Sequence, residues 1–138
     1  MKFESWKQYC KLYPEYDSVL IGDSGQGDAI FGKDALDEEN TNVKAVFIHK
    51  VTDWRVRPAK AAKRFAFRDT RIHYFDTYVG AAIEAMKEGL ISKEGLHRVA
   101  DAAKVELADV LARATPEQKA TLEEIFKRDL DAMGATAQ

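Results

Sequence analysis

The stretch VLIGDSGQGDAIFG, residues 19–32, decides how this chain is read. Val19, Leu20 and Ile21 form an apolar, largely β-branched run of the kind that fits a buried strand. It breaks into a loop with glycines at 22, 25 and 27, aspartates at 23 and 28, and Ser24 between them. A helical pattern then resumes from Asp28. Strand, glycine loop and helix in that order predict the first half of a βαβ unit. Three chemistries are open to the loop. Ser24 can be a nucleophile, Asp23 and Asp28 can hold a metal ion, or the aspartates can bond their own backbone in a tight turn.

Upstream, Phe3, Trp6, Tyr9 or Cys10, and Tyr13 recur at helical spacing, so residues 3–12 read as a helix that Pro14 ends. Downstream, VKAVFIH (43–49) reads as a second strand. Pro58 is suited to open a short helix reaching about Phe65, and Ile72–Phe75 reads as a third strand. The remainder is helical. Asp76 or Thr77 caps a helix to about Lys87, and Gly89 stops it. Ser92 starts another, to about Arg113. Thr115-Pro116-Glu117-Gln118 is a capping box that opens the last. Strands alternating with helices imply a parallel sheet. In such sheets the working site lies beyond the carboxyl ends of the strands. Asp23 and Asp28, His49, and Asp76 with Thr77 all follow strand ends.

The bulk composition narrows the classes. The 138 residues are about one domain's worth, with 46% hydrophobic residues for a core and 32% charged residues for a wetted surface. The net charge of −2 gives no argument for nucleic acid. The lone cysteine, Cys10, excludes an internal disulfide and a cysteine-built zinc site. No apolar run approaches membrane-span length, and MKFESWKQYC has no signal-peptide core, so a cytoplasmic protein is expected.

A Ser24 hydrolase is poorly supported by the residues around it. A nucleophile elbow needs Gly-x-Ser-x-Gly, and Gln26 stands at the last position. A GDS-type esterase needs an Asp-x-x-His toward the C-terminus, which is missing; His97 has only Glu94 three residues before it. The metal reading is better founded. Magnesium wants hard carboxylate oxygens, waters and a substrate phosphate, and two aspartates at a strand end can supply part of that shell.

Gly22-Asp23 followed by Asp28 resembles the fourth motif of the haloacid dehalogenase (HAD) superfamily, Gly-Asp-(x)4-Asp after a hydrophobic strand. The longer string LYPEYDSVLIGDSGQGD, followed by VKAVFIHKV, is similar to the catalytic domain of the actin-patch phosphatidate phosphatase family. Lys2 stands 21 residues before Asp23, where that family places a lysine at the start of the preceding helix. HYFDTYVGAAIEAMKEGLIS also looks like these relatives. The resemblance covers residues 2 to about 100 and is strongest over 12–51.

It implies an α/β fold: a partial HAD-like (Rossmann-like) parallel sheet of about three strands with a C-terminal helical segment. The chain is then expected to divide into 1–88, which the resemblance makes the C-terminal half of a catalytic domain, 89–133, a helical extension read from its periodicity, and 134–138, a flexible tail. It implies Mg²⁺-dependent hydrolysis of a phosphate monoester. Lys2 would balance charge at the phosphate, and Asp23 and Asp28 would hold the magnesium. Ser24, Gln26, His49, Arg55, Arg57 and Lys60 would face a phosphorylated or phospholipid substrate.

The family's Asp-x-Asp nucleophile motif, which closes an earlier strand, is absent. Asp129-Leu130-Asp131 has the spacing but lies in a helical segment. Such a chain looks like the C-terminal half of a HAD domain, and three origins are open: a truncated piece of a longer gene, a split gene product, or a chain that needs a partner to supply the missing strand. The strand at 18–22 would then leave a bare apolar edge. The rival reading is a non-catalytic remnant. Its basic stretch from Arg55 to Arg71 would bind an anionic ligand, an anionic membrane surface or a partner.

Overall fold

The computed structural model describes residues 2–24, 28–39, 42–50 and 69–136, with the backbone alone for Lys2. The expected short helix at 58–65 lies outside these residues. The chain divides into two compact units, Met1–Tyr74 and Phe75–Gln138.

The first unit follows the expected alternation. Helix α1 (Lys2–Leu12) leads to strand β1 (Ser18–Asp23), helix α2 (Asp28–Asp37) and strand β2 (Val43–His49). Strand β3 (Ile72–Phe75) begins here and ends at the first residue of the second unit. The fold is α/β, with a parallel sheet in the order β1-β2-β3. β1 and β2 pair from Val19↔Ala45 to Asp23↔His49, with one register shift between Ser18 and Val19.

One face of the sheet carries the unit's core. Val43, Val46, Ile48 and Ile72 pack with Ala29, Ala35 and Leu36 of α2. Phe3 and Trp6 bring α1 onto the same cluster through Phe31. The Phe3–Phe31 ring centroids lie 5.4 Å apart, edge to face, and those of Trp6 and Phe31 5.9 Å apart. Of the residues at helical spacing, Tyr9 in α1 and Tyr13 just past its end face solvent, and their tilted rings meet each other, centroids 4.9 Å apart, instead of joining the core. Gly32 lets α2 lie close on β2, since a Cβ there would stand 2.5 Å from Val46 Cγ1.

A charged turn opens β3. Arg71 donates from its backbone N–H to Asp69 Oδ1 at 2.9 Å, and its guanidinium reaches both carboxylate oxygens. The Arg71 carbonyl then accepts Val46 N–H at 2.8 Å, joining the turn to β2.

The second unit holds α3 (Tyr78–Lys87), α4 (Lys93–Leu111) and α5 (Pro116–Thr136). Val79, Ala82 and Ile83 of α3 close on Leu96 and Ala100 of α4 and Phe126 of α5. The caps are those expected. Thr77 Oγ1 accepts Gly80 N–H, and Ser92 Oγ accepts Gly95 N–H. Thr115 and Gln118 exchange side-chain and backbone bonds at 3.0 and 3.2 Å. Gly89, at φ 75°, turns the chain between α3 and α4.

Candidate functional site

Strand alternation determines which backbone groups of β1 are committed to the sheet. Ser18 N–H donates to Asn42 O at 2.7 Å, and Ser24 N–H donates to His49 O at 2.9 Å. Both bonds point toward β2. In a strand the N–H and C=O of one residue point to the same side, and successive residues alternate. The even-numbered residues of β1 therefore face β2, and Val19, Ile21 and Asp23 turn their backbone groups to the open edge. The expected bare edge is present among the described residues. The strand is not the buried one its composition suggested: Val19 is 41% and Ile21 68% exposed.

Asp28 closes one end of that edge. Its Oδ2 accepts Asp23 N–H at 3.1 Å, so the first side chain of α2 folds back across the loop to the last residue of β1. Gly22 makes room for it, because a Cβ at Gly22 would stand 2.5 Å from Asp28 Oδ2. This bond is the backbone-closing role that competes with metal binding for the two aspartates, here spanning five residues. An accepting carboxylate oxygen retains a second lone pair, so the bond does not exhaust Asp28. The two carboxylate-bearing residues are thus drawn together at the carboxyl end of a parallel strand, beside the N-terminus of a helix. Among the described residues no group of three or more His, Cys, Asp or Glu side chains is placed to hold a metal ion. Two carboxylates still suit magnesium, which commonly takes one or two and fills the rest of its shell with water and phosphate oxygens.

The other candidates are distributed unevenly. His49 lies directly across from Asp23 in the ladder and is half-buried. Ser24 is 7% exposed, which does not suit a nucleophile that must meet substrate. Gln26, Arg55, Arg57 and Lys60 lie outside the described residues, as does the side chain of Lys2. Of the basic stretch, Arg71 is described, and Asp69 holds it. Their bidentate pairing keeps the Asp69 carboxyl below the usual range for an aspartate.

Asp76 and Thr77 serve the helical unit. Thr77 Oγ1 donates to Asp129 Oδ2 at 2.6 Å, and Arg128 pairs with both Asp76 and Asp129. Asp129 is 8% exposed, and Gly80 leaves space for it, with an added Cβ 3.1 Å from Oδ2. Asp129 thus belongs to a buried helix-capping network, of which sequence spacing gives no sign.

A cavity of about 240 Å³ runs beside the loop. Trp6, Leu20, Phe31 and Ile48 give it apolar walls, and Gly22 and Asp28 line its end at the loop. The Trp6 indole N–H is buried with no acceptor among the described residues. No described helix is long and apolar enough to cross a membrane. No family model, curated protein or solved structure matches the chain.

Proposed function

We propose that the Asp23–Asp28 loop is one half of a Mg²⁺-dependent phosphoryl-transfer site of HAD type, similar to that of phosphatidate phosphatases and working in the cytoplasm. The observation that carries this reading is the convergence of Asp23 and Asp28 at the carboxyl end of β1, held by the bond from Asp23 N–H to Asp28 Oδ2. Asp23 and Asp28 would hold the ion, which supplies charge neutralisation at the phosphate oxygens. Lys2, by the resemblance, would add a second positive charge there. Phosphoryl transfer asks mainly for positioning and charge balance, and these residue types provide both. The attacking carboxylate is not among these residues, and turnover requires one brought to the same site.

Ser24 is too deeply buried to favour a serine hydrolase. Anionic-surface binding by the basic stretch rests on residues outside the described set, apart from Arg71 in its pairing with Asp69.

Titration calorimetry with MgCl₂ tests the proposal. The full chain is expected to bind magnesium, Asp23→Asn to lose about tenfold or more in affinity, and the chain alone to hydrolyse no phosphate monoester. Equal affinity in Asp23→Asn would remove the metal role. Labelling of Ser24 by a fluorophosphonate would replace the phosphatase reading with the hydrolase one.

A further inference from the structure

We propose that Tyr9, Tyr13 and Tyr16 form a docking row for a proline-rich segment of a partner protein, bound as a polyproline II helix. The row precedes Ser18, at the opposite end of β1 from Asp23, and stands apart from the phosphoryl-transfer reading.

Local structure sets the three rings in line. Tyr9 lies in the last turn of α1 and Tyr13 one residue past its end, four apart, so their side chains share one side of the helix. Tyr13 N–H continues the helical pattern and donates to Tyr9 O at 3.0 Å. Tyr16 N–H then donates to Tyr13 O at 3.2 Å and closes a tight turn. Pro14 holds the second position of that turn, where its fixed φ is favoured. Ring centroids step 4.9 Å from Tyr9 to Tyr13 and 6.0 Å from Tyr13 to Tyr16, and successive planes tilt by 44° and 40°. The three rings are 51%, 43% and 58% exposed. They are held in place and left open, which lowers the ordering cost of binding.

The chemistry of the row selects proline. Its backbone is already committed at Tyr13 and Tyr16, and the Pro14 carbonyl accepts Asn42 Nδ2 at 3.3 Å. A ligand that binds through a backbone ladder finds little to pair with here. A polyproline II helix needs no ladder, and aromatic-lined surfaces recognise it. Its carbonyls are acceptors with no prolyl N–H beside them, and each phenol O–H is a donor. Charge agrees as well. Ser5, Gln8 and Leu12 complete this side of α1 without a charge, and Lys11 and Glu15 at its borders are of opposite sign. Size also fits. The two centroid steps bound the row near one turn of the proline helix, roughly 9.3 Å, so a single turn covers it. The tilted planes leave notches for pyrrolidine rings, where a flat sugar chain asks for coplanar ones.

NMR of the tyrosine rings in the full chain tests this, with an acetylated nonaproline amide as probe. The rings of Tyr9, Tyr13 and Tyr16 are expected to shift saturably at millimolar peptide. Those of Tyr74, packed on the core, and Tyr78, exposed but outside the row, are expected to stay. Tyr13→Ala and Tyr16→Ala, both at exposed positions, are each expected to weaken binding by about tenfold or more. Tyr78→Ala is expected to leave it unchanged. The proposal is overturned if nonaproline shifts no ring of the row, if a glycine–serine peptide of equal length shifts them as much, or if both row variants keep full affinity. Shifts with cellohexaose but not with nonaproline assign the row to a saccharide and overturn it. Shifts that follow protein concentration without peptide assign it to a second copy and overturn it as well. Magnesium affinity enters none of these readouts, so this proposal and the phosphoryl-transfer reading fail separately.

Discussion

Asp28 Oδ2 accepts the backbone N–H of Asp23 at 3.1 Å, on the side of β1 that faces away from β2. One side chain therefore ends the strand, closes the loop and sets two carboxylate-bearing residues side by side. Structure and chemistry compete for the same oxygen, and two substitutions separate them. Asp28→Asn keeps an amide oxygen that can accept Asp23 N–H, so stability should fall by less than about 1 kcal/mol. Asp28→Ala leaves the donor without its acceptor and should cost about 1–3 kcal/mol. Both lose the carboxylate charge, so on the proposed function both bind magnesium more weakly. Urea unfolding read beside calorimetric Mg²⁺ titration checks the split. An Asn variant as unstable as the Ala variant would show that charge, not the hydrogen bond, holds the loop.

Gly22→Ala should damage the same arrangement from the strand side. Its Cβ would stand 2.5 Å from Asp28 Oδ2, closer than unbonded atoms allow. Asp28 must swing away and release Asp23 N–H. A loss of about 1–3 kcal/mol is expected, and it should largely overlap with the loss in Asp28→Ala, because both break one contact. A double variant in denaturant unfolding tests this; fully additive losses would mean that the two residues act independently.

The elements themselves are legible in the order of the residues. The alternation of apolar runs with helical patterns places β1, β2, β3 and the flanking helices, because periodicity and capping act over a few residues. Thr77, Ser92 and the Thr115–Gln118 pair cap the helices that follow them for the same local reason. Contact at a distance is not legible in this way. Val19 and Ile21 read as buried because their side chains are apolar, yet exposure depends on whether another layer covers that face of the sheet. Tyr9 and Tyr13 hold helical spacing with Phe3 and Trp6 but miss the core, because only the inner side of α1 meets Phe31. Asp129 reads as one more helical acid, and only folding brings it to Thr77, 52 residues away in the chain.

That network predicts a polar contribution to the helical unit. Thr77→Val removes both the cap on Gly80 N–H and the hydroxyl donor to Asp129, leaving a buried carboxylate short of one partner. A loss of about 1–3 kcal/mol is expected. Thr77→Ser restores both bonds and should recover most of it. Hydrogen exchange at α3 amides in the full chain measures the effect where it arises. Equal exchange in wild type and Thr77→Val would show that Arg128 alone satisfies Asp129.

The turn before β3 should respond to acid. Asp69 sits below its ordinary range chiefly because Arg71 donates to its side chain, with the Arg71 backbone N–H adding to the effect. A carboxyl with a depressed folded-state value stabilises the fold fully above the ordinary aspartate value near 4. It loses that contribution as pH falls through the lower folded-state value. Acidification below about pH 4 should therefore loosen the Arg71 N–H bond first and weaken the junction that Arg71 O makes with Val46 N–H at 2.8 Å. In Asp69→Asn the carboxyl is gone, so this pH response should vanish while a weaker neutral bond remains. Amide chemical shifts of Arg71 and Val46 followed from pH 6 to 2 provide the measurement. Identical titration curves in wild type and Asp69→Asn would assign the acid sensitivity of β3 to some other group.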